Sequence, residues 1–134
     1  MSEIKVEYIG DLRTESMHID SGHSITTDAP KDNQGLGRKF SPTDLVASAL
    51  GSCLLTIMGI VADRHNIKIK GSTVNILKEM NENPRRISKL ILDINLNCII
   101  TDDKLDILKR AAKHCPVHNS LNDEIDIKIN FSMV

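Results

Sequence analysis

The side chains of this 134-residue chain best suited to covalent or metal chemistry are three cysteines, Cys53, Cys98 and Cys115, and five histidines. Cys53 lies in the stretch "SPTDLVASALGSCLLTIMGIVADRH", inside the uncharged run from Leu45 to Ala62. At helical spacing it shares a face with Val46, Leu50, Leu54, Ile57 and Val61, which by itself describes a core residue. The small residues of "ALGSC" around it leave room for a backbone or a ligand to come close. In mid-helix the dipole does little for a thiolate, so a reactive Cys53 needs a nearby cation.

Cys115 ends "TDDKLDILKRAAKHC" beside Lys109, Arg110, Lys113 and His114. A helix C-terminus disfavours an anion and those cations offset it, so Cys115 reads as a poorer attacking thiolate than Cys53 and as a candidate resolving thiol. "CPVH" also admits a metal held by Cys115 and His118, with His114 or His65 as further ligands, but no CxxC pair accompanies it. A Cys115/His118 pair for acyl transfer lacks an evident oxyanion site. Cys98, among aliphatic neighbours on the inward parity of a strand, reads as a small buried hydrophobe. His18 and His23 fall in a polar hairpin. "GLG" at Gly35–Gly37 lacks the strand-to-helix context and third glycine of a phosphate loop.

The elements that must position these residues follow from periodicity. "IKVEYIG" alternates Ile4, Val6 and Tyr8 as a half-buried strand, and "MHIDSGHSIT" is a hairpin turning at Ser21–Gly22. "DAPKDNQGLGRKFSP" is a long surface loop, of the kind that often carries function. Ser41 then Pro42 announces a helix, with Asp44 suited to its first turn, running to about Arg64. Ser48, Ser52, Thr56, Gly51 and Gly59 dilute its hydrophobicity and acidic residues bracket it, which describes a central core helix and not a membrane span. "IKIKGSTVNILKEM" and "RRISKLILDINLNCII" are two long strands joined at "NENP". A bulge is expected near Gly71, and Leu90 to Ile100 form one continuous core face through Cys98. Thr101 caps a second helix whose stripe is Leu105, Leu108, Ala112 and Cys115, and Pro116 stops it. "IDIKINFSMV" closes the chain as a strand. The expected order is βββ-α-ββ-α-β, an α+β fold in one domain spanning 1–134.

Composition narrows the function. Hydrophobic residues are 40%, charged residues 26% and the net charge −1, which favours neither nucleic acid nor an anionic membrane. Tyr8, Phe40 and Phe131 are all the aromatics, too few for a base-stacking surface. The N-terminus shows no signal-peptide pattern, so a cytoplasmic location is expected. There an odd number of cysteines stays reduced unless one pair cycles.

The pairing of "SPTDLVASALGSC" with "CPVHNSL", 62 residues on, resembles the OsmC/Ohr family of thiol-dependent hydroperoxide reductases, over most of the chain. The resemblance implies an intertwined homodimer, with the cysteine-bearing helix packed against curved antiparallel sheets. It implies a peroxidatic Cys53 resolved by Cys115, reducing organic hydroperoxides, or hydrogen peroxide, in oxidative-stress defence. An external dithiol restores both thiols, and no metal or organic cofactor is called for. The better-studied branches carry a glutamate ten residues before the cysteine, where this chain has Thr43, with Asp44 next to it but turned about 100° round the helix. The activating arginine is Arg13 or Arg38, with Arg13 at the position used by the Ohr branch. The pattern is similar to the third, less characterised OsmC-like branch. A non-catalytic dimer that senses an electrophile or binds a small apolar ligand is the other reading.

Overall fold

The computed structural model describes residues 1–134, which form two compact units, Met1–Val46 and Ala47–Val134.

In the first unit, β1 (Ile4–Gly10), β2 (Arg13–His18) and β3 (His23–Asp28) form an antiparallel meander in that order. Asp11 and Leu12 turn β1 into β2 at φ 55° and 60°, the left-handed pair that matches the twist of a hairpin. β2 and β3 are joined through His18 opposite His23, as the Ser21–Gly22 signal implies. β1 has the expected alternation but not the expected burial: Ile4, Val6 and Tyr8 are 62%, 60% and 64% exposed. Period records which residues share a face, not whether anything within the chain covers it.

The Gly-rich loop folds back on the end of β3. Gly37 N–H donates to the Ala29 carbonyl at 3.0 Å and Asp28 N–H to the Phe40 carbonyl at 3.1 Å. A Cβ on Gly35 would lie 1.8 Å from the Ala29 oxygen, so only glycine fits there.

The loop leads into α1 (Pro42–Arg64). Ser41 Oγ accepts from Asp44 N–H at 3.1 Å while Asp44 Oδ2 accepts from Ser41 N–H at 2.9 Å. This reciprocal capping box satisfies two of the groups that a helix start leaves without partners.

In the second unit, β4 (Thr73–Asn81), β5 (Arg86–Leu96) and β6 (Asp126–Met133) make one sheet with β5 central. β4 runs antiparallel to β5, but β6 lies parallel to it. The sheet is therefore mixed and not wholly antiparallel, because the chain between β5 and β6 is a helical crossover, which returns a strand in the same direction. Leu90, Leu92, Ile94 and Leu96 of β5 are buried with Ala47, Leu50, Leu54, Met58 and Ala62 of α1. Each large aliphatic side chain in that cluster contributes about 1.5–3 kcal/mol. The α1 stripe thus centres on Leu54 and Met58, with Cys53 at its margin. Length and composition alone would let α1 cross a bilayer, yet this stripe packs as a core helix.

Two strand boundaries differ from expectation. Ile67–Lys70 is not strand, and Gly71 does not carry a bulge. Gly71 turns at φ 91° beneath Asn97, whose Nδ2 donates to the Lys70 carbonyl and whose N–H donates to Ser72 Oγ. These side-chain bonds take up backbone groups a ladder would need. The register shift lies instead at Glu79/Met80. The same Asn97 ends β5 at Leu96, so Cys98 sits past the strand, half-buried against the core.

Thr101 occupies the N-cap of α2 (Asp102–Ala112), its carbonyl accepting from Leu105 N–H at 3.0 Å, but its side chain makes no capping bond. The Thr101 hydroxyl beside the Asp103 carboxyl is the largest cause of that group's lowered pKa.

Candidate active site

Cys53 is presented by the margin of the α1 stripe, half-buried, where small residues let the helix approach the sheet. A Cβ on Gly51 would come within 2.6 Å of Ile76 Cδ1 and 3.0 Å of Val74 Cγ1. The glycine beside the thiol is therefore explained by β4, which lies against it.

Cys115 is not in the last turn of α2, which ends at Ala112. It is the N-cap of a separate short helix, α3 (Pro116–Ser120), with Pro116 in the first turn. Its Sγ accepts from His118 N–H at 3.4 Å, so the local backbone field is that of a helix start and the expected C-terminal penalty is reversed. The residue is fully buried, at 0% exposure. Burial pushes the Cys115 thiol up from its ordinary 9.0, and the neighbouring Cys53 thiol pushes it further, against the weaker pull of the His118 N–H. The two cysteines, both reduced, are thus near enough to interact, and Cys115 is held towards its protonated form.

His118 meets Cys115 through its backbone, not its ring, and no three His, Cys, Asp or Glu side chains are grouped to hold a metal ion.

The first unit holds the two arginines. Arg13 opens β2 directly across from Asp28, the last residue of β3. Asp28 is 1% exposed, and its Oδ2 accepts from both the backbone N–H and the Nε of Arg38, at 3.0 and 2.9 Å. The Arg38 side chain bond holds the Asp28 carboxyl below its usual range, helped by the Arg38 backbone N–H and by the charge of Arg13, while burial opposes them. Arg38 is 48% exposed. Two buried atoms here have no partner, Arg13 Nε and Asp28 Oδ1. Asp28 was not singled out by the sequence, since an aspartate before "AP" looks like an ordinary turn residue. Its opposition to Arg13 exists only once β2 and β3 are in register. Asp44 Oδ2 accepts from Ser41 N–H at 2.9 Å in the α1 cap, and Thr43 Oγ1 lies 3.2 Å from Ser41 Oγ.

A family model for OsmC-like proteins matches residues 33–130. The chain belongs to the OsmC-like family. Among solved structures, a Psychrobacter arcticus 273-4 protein described as a candidate osmotic stress induced and detoxification response protein is 44% identical. The match covers 98% of this chain and 96% of that one, with a TM-score of 0.93. An OsmC-like protein of Mycoplasma pneumoniae is 20% identical over 100% of this chain and 97% of that one, TM-score 0.85. An organic hydroperoxide resistance protein OsmC of Legionella pneumophila is 16% identical over 98% and 96%, TM-score 0.79. The last two share the OsmC-like fold. No curated protein matches the sequence.

Proposed function

We propose that this OsmC-like protein is a thiol peroxidase for organic hydroperoxides, and that the nearness of Cys53 to Cys115, felt in the raised Cys115 pKa, carries the reading. The Cys53 thiolate attacks the distal peroxide oxygen; the O–O bond breaks and the alkoxide leaves, taking a proton to become the alcohol. Cys53 is then a sulfenic acid. Cys115, kept protonated beside it, forms the S–S bond, and hydroxide leaves with the thiol proton as water. An external dithiol reduces the disulfide by exchange and is itself oxidised to a disulfide.

Activation of Cys53 is assigned by resemblance to Arg13 or Arg38. We favour Arg13, because Arg38 is engaged by Asp28 while Arg13 Nε is buried without a partner. The family match runs across the boundary between the two units, as does α1, which supports a single OsmC-like domain. Ile4, Val6, Tyr8 and Ile25 share one exposed face of the first sheet, which suits burial in a homodimer. A cytoplasmic location suits three reduced cysteines. The name of the Legionella protein points to the same substrate class.

The test is intact mass and peptide mapping after one equivalent of cumene hydroperoxide. A loss of two hydrogens mapped to Cys53–Cys115 supports the cycle, and unchanged peroxide consumption by Cys53→Ser ends it. Thr43, at the position of the glutamate in better-studied branches, favours a second reading as an electrophile sensor. Stoichiometric oxidation without recycling by any dithiol would identify it.

A further inference from the structure

Asp106, Lys109, Arg110 and Lys113 follow one another at i, i+3, i+4 and i+7, a single stripe of α2. This stripe forms one wall of a cavity of about 710 Å³ whose apolar floor is Ile129 and Phe131 of β6. Cations in the last turn of a helix complement its dipole, and that accounts for their presence. It does not account for the concave apolar floor beneath them. Lys109 and Lys113 are like charges four residues apart, and Asp106, the counter-charge on this stripe, is within one turn of Lys109 and Arg110 but two turns from Lys113. Lys109 Nζ lies 5.5 Å from the centre of the Phe131 ring, over the floor. The cavity has the size and lining of a small-molecule site, mostly apolar with a few charged groups to orient the ligand. Three basic side chains face one carboxylate there, in a chain whose net charge is −1.

We propose that this cavity binds a small amphipathic anion, a carboxylate with an apolar tail. Its head group rests on Lys109, Arg110 and Lys113 and its tail on Ile129 and Phe131. His118 also lines the cavity, and its backbone N–H is the donor to Cys115 Sγ. The ligand therefore lies against the segment that holds the buried thiol. The proposal does not depend on peroxide reduction.

Full-length protein titrated calorimetrically with octanoate, 1-octanol and inorganic phosphate tests it, with amide shifts of isotope-labelled protein locating the site. Octanoate is expected to bind one per chain, shifting amides of α2, α3 and β6, His118 among them. Affinity is expected to fall roughly tenfold or more in Lys109→Gln/Lys113→Gln and with added salt, and to be weaker by a similar factor for octanol and for phosphate. No octanoate binding overturns the proposal, as do octanol binding as tightly as octanoate, phosphate binding as tightly, or an unaffected variant. Arg110→Gln, at an exposed position, gives the same reading should the double variant fail to fold by circular dichroism.

Discussion

Cys115 Sγ accepts the His118 N–H at 3.4 Å, and the Cys53 thiol is near enough to raise its pKa beyond what burial does. A fully buried thiol in that position holds its proton more tightly than the same thiol in the unfolded chain. Unfolding above the ordinary thiol pKa of 9.0 therefore releases a proton that the folded state keeps. The stabilising contribution is full below that value and is lost as pH rises towards and through the raised one. Urea midpoints at pH 7 and pH 10 should show a larger alkaline loss for the wild type than for Cys115→Ala. Equal losses would mean the thiol is not held protonated by the fold.

The same relationship orders the sulfur chemistry. With Cys115→Ser, one equivalent of hydroperoxide should leave Cys53 as a sulfenic acid that dimedone captures, whereas the wild type should give little adduct because the neighbouring thiol condenses first. Equal dimedone labelling of both proteins would separate the two cysteines functionally.

Asp28 carries the opposite sign. Its carboxyl is depressed by the Arg38 bonds and by Arg13, so its contribution is present above the ordinary value of 3.8 and is lost as pH falls through the depressed one. Asp28→Asn should lower the melting temperature at pH 7 and flatten its decline between pH 5 and pH 2. If the carboxylate also orients the arginines, the second-order rate of Cys53 with hydroperoxide should fall with it, and Glu at 28 should restore part of that rate. A variant that melts like the wild type at every pH would make the pair incidental.

Gly51 of α1 packs against Ile76 and Val74 of β4. Gly51→Ala gains roughly 1 kcal/mol in helix propensity and loses about 1–3 kcal/mol to overpacking against Ile76 and Val74. A net loss in chemical denaturation is expected, and Ile76→Val in the same chain should recover most of it by removing the Cδ1 that lies 2.6 Å from the new Cβ. Full stability of the single variant would mean that β4 yields there.

Ser41 and Asp44 are capping residues, so Ser41→Ala and Asp44→Asn should each cost about 0.5–2 kcal/mol. Peroxide turnover per folded molecule should stay unchanged. A turnover loss in Asp44→Asn beyond its loss of folded protein would give this carboxylate a part in the chemistry as well.

Local patterns carried much of this molecule. Ser41–Pro42 located the start of α1 because capping chemistry involves only neighbours, and the alternation in β5 and β6 located their core faces because a pleat has period two. The paired cysteine motifs carried the family resemblance. The folded structure decided the rest, mostly through residues distant in sequence. Asn97 reaching back to Lys70 and Ser72 ends one strand and delays another. The crossover through α2 and α3 sets β6 parallel to β5. The break after Ala112 moves Cys115 from a helix end to a helix start, which reverses the sign of its local field. Asp28 becomes the counter-ion of Arg38 and the cross-strand partner of Arg13 only when β2 and β3 pair in register. Periodicity along a chain fixes which residues share a face; which faces and side chains then meet is set by register and packing, and the contacts of Cys115 and Asp28 belong to that second kind.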